Sequence, residues 1–360
     1  MKAAVLKEFG SPLACLDIAP PVIGTGEVLV DVYSAPILSY ADEVFSGARR
    51  YLLPTPVTPG CGAIGKVREV GPDSTKLKIG DWVFCDPTVR SRDDALMPDI
   101  TLQGWSARGE GGQMLQRYFR DGSFAEQIRV PTENAVPIGE IDPLEASQWC
   151  AINTLLIAYG GLLKMNLQAG ETLLVSGATG NFGSATIISA LAMGARSVIA
   201  AGRNQSVLDD LQRRFGKRLV PVALTGNTDR DTEAMKTAVA WPVDAVLDFL
   251  PPSVESTVAR AAIMALRPYG RAVLMGGVGM LGGEDLALPY PWIMRNNISI
   301  HGQWMYDTSA VTGLVRLVRA GLLDLSQFAV TEFSLSDVNE AVKHAASNAG
   351  PFKLTTLKIK

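Results

Sequence analysis

The stretch that decides the fold runs Glu171-Thr-Leu-Leu-Val-Ser-Gly177-Ala-Thr-Gly180-Asn-Phe-Gly183, then an apolar helical pattern, then Ser197-Val-Ile-Ala-Ala-Gly202-Arg203-Asn204. Leu173, Leu174 and Val175 form the short apolar run of a strand covered on both faces. Strand, glycine turn, helix and second strand follow one another within the ~30 residues of a dinucleotide-binding βαβ unit. Gly180 lets the backbone approach a pyrophosphate, and Gly183 lets the helix sit close to the strand. The N–H groups that open the helix, including those of Asn181 and Phe182, then face the phosphates.

The end of the second strand selects the dinucleotide. A carboxylate there hydrogen-bonds the ribose 2′-hydroxyl of NAD. This chain has Gly202 and Arg203 instead, so nothing repels a 2′-phosphate and a guanidinium can pair with it. The expected cofactor is NADP(H).

The rest of the composition bounds the class. The 360 residues are 47% hydrophobic with a net charge of −3, enough for two domains with sizeable cores. No dense Lys/Arg run marks a nucleic-acid footprint. No apolar stretch reaches ~20 residues, which argues against a membrane span. The charged start, Met1-Lys-Ala-Ala-Val-Leu-Lys-Glu, does not read as a signal-peptide core. Cys15, Cys61, Cys85 and Cys150 lack CxxC spacing and suit a reducing cytoplasm.

Residues 1 to about 140 read as mostly β, with strands at Val28–Tyr33, Ala63–Val70 and after Gly80-Asp81. Residues 86–122 break the pattern: charged, Gly-rich and weakly periodic, they read as a long loop. Asp142-Pro-Leu-Glu145 caps a helix that continues through Tyr159. Residues 150–290 then alternate strands (172–176, 197–201, 244–248, 271–275) with helices (near 181–193, 204–215, 231–239, 253–266), the order of a doubly wound parallel sheet. A strand near 297–305, a helix near 309–320 and a strand near 352–357 follow.

With these motifs in place, the chain resembles a medium-chain dehydrogenase/reductase nearly end to end. The carrying residues are Met1-Lys-Ala-Ala-Val, Gly26-Glu-Val-Leu-Val30, Ala35–Asp42, Pro59-Gly-Cys-Gly62 through Gly71, Gly80-Asp81-Trp-Val, Asn153-Thr154 and the Gly177–Gly183 turn. The resemblance implies an α/β protein: a GroES-like β-rich catalytic domain (1–145 and 290–360) and a Rossmann doubly wound parallel-sheet coenzyme domain (146–289), with the active site in the cleft between them. It places Thr154 near the nicotinamide, Gly180, Asn181, Phe182 and Gly183 on the pyrophosphate, and Gly202, Arg203 and Asn204 around the adenosine 2′-position. Phe249 and Leu250 would pack on adenosine, and Gly276, Gly277 and Val278 would meet the nicotinamide side. It also implies a homodimer through the strand near 297–305.

The departures from the family pattern matter for the chemistry. Zinc-dependent members hold their catalytic metal with a Cys, a His-Glu pair and a second Cys; the matching positions here are Ser39, Cys61-Gly62 and Cys150. Two thiolates do not close a tetrahedral site, and Asp42 is the one further ligand on offer. The family's four-cysteine structural lobe is also missing, because no cysteine lies between Cys85 and Cys150. Without a metal, negative charge on substrate oxygen must be met by hydrogen-bond donors. Tyr40, Ser39 and Asn153 neighbour the lost zinc position, and Tyr40 can both donate a hydrogen bond and deliver a proton; His301 is a second acid.

The preferred reading is NADPH-dependent reduction of an activated C=C bond or a quinone. Reversible alcohol/carbonyl oxidoreduction, with or without a metal on Cys61 and Cys150, is the alternative, and a catalytically silent NADPH-binding protein is the third. Tyr51, Leu52, Trp105, Trp292, Trp304 and Tyr306 are candidates for an aromatic-lined pocket that takes a small apolar substrate.

Overall fold

The chain opens with an antiparallel ribbon, β1 (Lys2–Val5) and β2 (Ala14–Asp17), and then enters its longest strand, β3 (Glu27–Ile37). The computed structural model describes residues 1–360. They divide into two units: residues 1–153 with 325–349 and 353–360, and residues 154–324 with 350–352.

In the first unit β3 is the organising element. Short helix α1 (Ala41–Phe45) follows it, and then come β4 (Ala63–Val70) and β5 (Trp82–Cys85). Residues 86–122, expected as loop, form a small sheet of β6 (Thr88–Arg90), β7 (Ile100–Leu102) and β8 (Ser106–Ala107), with helix α2 (Gly109–Tyr118) against it. Strands of two or three residues are too short for a period of two to register in sequence. After β9 (Gln127–Pro131) and β10 (Ala135–Pro137), Asp142 and Glu145 form the expected capping box, with Pro143 at the first helical position. The helix itself is broken. A 3₁₀ turn leads into α3 (Ala146–Trp149), and α4 (Ala151–Lys164) restarts after Cys150, where the Asn153 N–H bonds the Cys150 carbonyl at 3.1 Å in the tighter 3₁₀ pattern.

The second unit is a doubly wound parallel sheet. Its strands are β11 (Thr172–Ser176), β12 (Ser197–Gly202), β13 (Leu219–Ala223), β14 (Val243–Asp248), β15 (Leu266–Leu274) and β16 (Ser299–Gly302). Helices α5 (Asn181–Ala192), α6 (Gln205–Phe215), α7 (Thr228–Thr237), α8 (Ser256–Met264), α9 (Tyr290–Asn296) and α10 (Ser309–Arg319) connect or follow them. The order is β13-β12-β11-β14-β15-β16, so the winding direction reverses between β11 and β14. Every residue of β11 and of β12 is buried, as apolar runs covered on both faces require. Residues 290–324 were expected with the first domain. Instead β16 pairs in parallel with β15, Arg271 opposite Ser299 and Leu274 opposite Gly302, and this segment belongs to the second unit.

The chain returns to the first unit with β17 (Ala329–Ser334), α11 (Val338–Ser347) and β18 (Lys353–Lys358). β18 pairs antiparallel with the end of β3, Thr355 opposite Ile37, which completes a seven-stranded sheet. No helix is long and apolar enough to cross a membrane.

Candidate active site

In the second unit, the expected cofactor residues gather at the carboxyl ends of the strands, around the point where the strand order reverses. Gly177 leaves β11 at φ +81°, a conformation that glycine adopts without strain. Gly180 is the N-cap of α5 and offers no side chain there. The first N–H groups of that helix have no intrahelical acceptor, and the positive end of the helix dipole sits with them. Gly183 allows the approach: a β-carbon on it would lie 2.2 Å from the Gly177 carbonyl oxygen. Phe182 stacks on Phe249, ring centroids 5.7 Å apart and planes 26° apart.

The segment after β15 is also tight. A β-carbon on Gly276 would meet the Leu250 carbonyl oxygen and the Asp248 carboxylate at 2.6 Å each, and one on Gly277 would meet Pro252 at 2.8 Å. The Gly277 N–H bonds the Leu250 carbonyl at 2.7 Å, and Val278 follows half-buried. These glycines leave backbone-lined space that side chains would fill, so the residues present fit a dinucleotide.

At β12, a β-carbon on Gly202 would lie 2.6 Å from Thr179 Cγ2, so no carboxylate side chain fits at that strand end without moving Thr179. Arg203 beside it is exposed and takes part in no ion pair. Asn204, expected around the adenosine 2′-position, also caps α6: its side-chain oxygen accepts from the Val207 N–H at 3.2 Å.

Sequence reasoning missed Asp248, which closes the apolar β14 run. It is 3% exposed, Ser176 and the Leu250 N–H donate to it, and its Oδ1 has no partner. Burial raises its pKa to about 6. A carboxylate ending an otherwise apolar strand was the available signal.

The proposed chemical residues lie in the first unit, except that Thr154 on α4 belongs to the second. Tyr40, at the N-terminal end of α1, has Trp105 edge-on at 5.9 Å and the Arg49 guanidinium over its ring at 4.3 Å. Burial pushes the Tyr40 pKa well up, Tyr51 and Cys61 add to the rise, and Arg49 and the Trp105 indole oppose it. Asn153 is buried with its Oδ1 beside Gly62, where a β-carbon would be 2.8 Å away, and Ser39 is half-buried. Arg49 was also missed; an Arg-Arg-Tyr run nine residues after Tyr40 was its only trace.

The donors around the lost zinc position do not fit a zinc centre. Burial, and then the Asp86 carboxylate, pushes the Cys61 thiol up. Burial raises the Cys150 thiol to about 12, and its sulfur faces Ser34 and Ile64. The donor set is short of ligands: Ser39 and Gly62 stand where a thiolate and an imidazole would be needed, and Asp42 is exposed. No group of three or more His, Cys, Asp or Glu side chains comes together to hold a metal ion.

The aromatic residues expected to line a pocket divide between the two units. Trp105 is 1% exposed and Tyr306 2%, both core side chains, while Trp292 packs on the coenzyme-sheet core. His301 lies half-buried on the edge strand β16.

Two family models match the chain. Residues 24–140 match the alcohol dehydrogenase GroES-like domain, and residues 182–320 match the zinc-binding dehydrogenase family. The chain belongs to the medium-chain dehydrogenase/reductase superfamily, in its alcohol dehydrogenase-like branch. Among similar proteins, this medium-chain dehydrogenase/reductase is 23% identical to the sorbitol dehydrogenase of Bacillus subtilis, covering 100% of this chain and 96% of that one. It is 25% identical to the NAD-dependent alcohol dehydrogenase of Saccharolobus solfataricus, covering 95% of each. The fold matches that of the alcohol dehydrogenase TADH from Thermus sp. ATN1 with a TM-score of 0.82 over 100% of both chains at 19% identity.

Proposed function

We propose that this protein is an NADP(H)-dependent oxidoreductase that interconverts an alcohol and a carbonyl compound, with Tyr40 rather than a metal meeting the charge on the substrate oxygen. The alcohol and polyol dehydrogenases among its relatives support this reading over reduction of a quinone or an activated C=C bond. The NADP preference rests on Gly202 and the unpaired Arg203, although one of those relatives is NAD-dependent.

The observation that carries the proposal is the setting of the Tyr40 phenol, with the Arg49 guanidinium 4.3 Å over its ring and Trp105 edge-on at 5.9 Å. Burial favours the protonated forms of Tyr40 and Cys61, so the first unit offers O–H and S–H donors there. A phenol with a raised pKa remains a donor at neutral pH, suited to steady a developing alkoxide and hand it a proton. Asn153 and Ser39 supply further donors. The glycine turn after β11, Thr154 and the Gly276–Val278 strand end would hold the dinucleotide, which supplies the hydride. The exposed edge of β16 supports a homodimer that extends the six-stranded sheet. The 86–122 lobe carries the fully buried Trp105 that walls Tyr40, which supports a role for it in shaping this site.

The test is oxidation of NADPH and of NADH by the purified protein with aldehydes, ketones, enones and quinones, alongside elemental analysis. Turnover of carbonyls with NADPH by metal-free protein is expected. Turnover restricted to enones or quinones, or dependent on stoichiometric zinc, would overturn the proposal.

A further inference from the structure

We propose that Arg49 is the positioning residue of the Tyr40 phenol: its guanidinium holds one face of the ring and sets how tightly the hydroxyl keeps its proton. This inference rests on the reading of Tyr40 as the proton donor.

The backbone delivers Arg49 to that position. After α1 the chain turns at Gly47, φ +83°, and the Arg49 N–H bonds the Glu43 carbonyl at 3.0 Å, which folds the segment back over the helix. The side chain is then held from two sides. Its Nε donates to Glu43 Oε2 at 2.7 Å, and the Tyr51 hydroxyl accepts from the same guanidinium. Only 13% of the side chain is exposed, and Cζ lies 4.3 Å from the Tyr40 ring centroid. A planar cation on a π-face at that distance both orients the ring and favours the ionised phenol.

The other groups facing Tyr40 cannot supply that charge. Glu43 on α1 is an anion already paired with Arg49. Tyr51 after the helix, Cys61 ahead of β4 and Trp105 between β7 and β8 are neutral at neutral pH. Among these, Arg49 is the one cation.

The experiment is ¹⁹F NMR of protein labelled with 3-fluorotyrosine, the Tyr40 resonance being assigned by its loss in Tyr40→Phe. Its titration midpoint is read in wild type, Arg49→Gln, Arg49→Lys and Glu43→Gln. Arg49→Gln is expected to raise the midpoint by about one pH unit or more. Arg49→Lys, which keeps the charge, should stay closer to wild type, and Glu43→Gln should lower the midpoint. In turnover, Arg49→Gln should lower kcat about tenfold with the NADPH Kd unchanged, the size of one general acid–base contribution weakened rather than lost. An unmoved midpoint in folded Arg49→Gln overturns the inference. Should Arg49→Gln fail to fold, an unmoved midpoint in Glu43→Gln does the same. Because the NMR midpoint needs no substrate, a shifted midpoint in a protein that reduces no carbonyl would overturn the proposed reaction and leave the Arg49–Tyr40 coupling standing.

Discussion

The carbonyl oxygen of Gly177 lies 2.2 Å from where a β-carbon on Gly183 would have to be. Strand β11 and helix α5 are therefore joined through a turn with no room for a single methyl group at that point. Backbone N–H groups, not side chains, line the entrance to the helix as a result.

Gly183→Ala must push α5 away from the turn. Overpacking of this kind costs about 1–3 kcal/mol. Urea denaturation should show a loss of that order, and calorimetry should show dinucleotide affinity falling at least tenfold. A variant with wild-type stability and affinity would mean that the helix does not need its observed approach.

The proposed preference for NADP(H) places the discriminating contacts at the end of β12. Arg203→Ala should weaken NADPH binding by about 1.5–3 kcal/mol, the worth of a hydrogen bond to a charged group, and leave NADH nearly unaffected. Gly202→Asp alone meets Thr179 at 2.6 Å from its first side-chain atom. The double variant Gly202→Asp/Thr179→Ala should shift preference toward NADH more than the single one. Fluorescence titration of both cofactors checks the order.

Asp248 gives stability a pH dependence of known sign. Its folded pKa, about 6, lies above the 3.8 of an unperturbed Asp, so between those values the folded state binds the proton more tightly. This group's contribution therefore falls as pH rises from about 4 to 6, by roughly 3 kcal/mol in total. Asp248→Asn keeps an acceptor for Ser176 and the Leu250 N–H but cannot ionise. Its stability relative to wild type should grow across that range. Denaturation at pH 4, 5, 6 and 7 measures the difference, and parallel curves would contradict it.

The four cysteines should separate by reactivity. Cys15 is exposed, whereas Cys61, Cys85 and Cys150 are buried with thiols raised by that burial. Native protein should expose one titratable thiol to an alkylating agent at neutral pH, and unfolded protein four. Rapid modification of Cys61 or Cys150 in the native state would instead show that burial does not keep those thiols protonated.

Much of this molecule was legible without coordinates. The bounds of β11, and those of β12, α5 and α6 to within a residue or so, follow from apolar runs, glycines and an Asn cap. Those are local features, because backbone sterics and side-chain periodicity act over a few residues. What only the tertiary structure decided is where distant segments meet. It placed Arg49 on the Tyr40 ring, buried Asp248 with an unpartnered oxygen among three strand ends, folded residues 86–122 into a small sheet behind Trp105, and drew β16 onto β15. Each depends on contacts between residues that no local pattern links, and on burial, which changes a carboxyl, a phenol or a thiol only once the rest of the chain has closed around it.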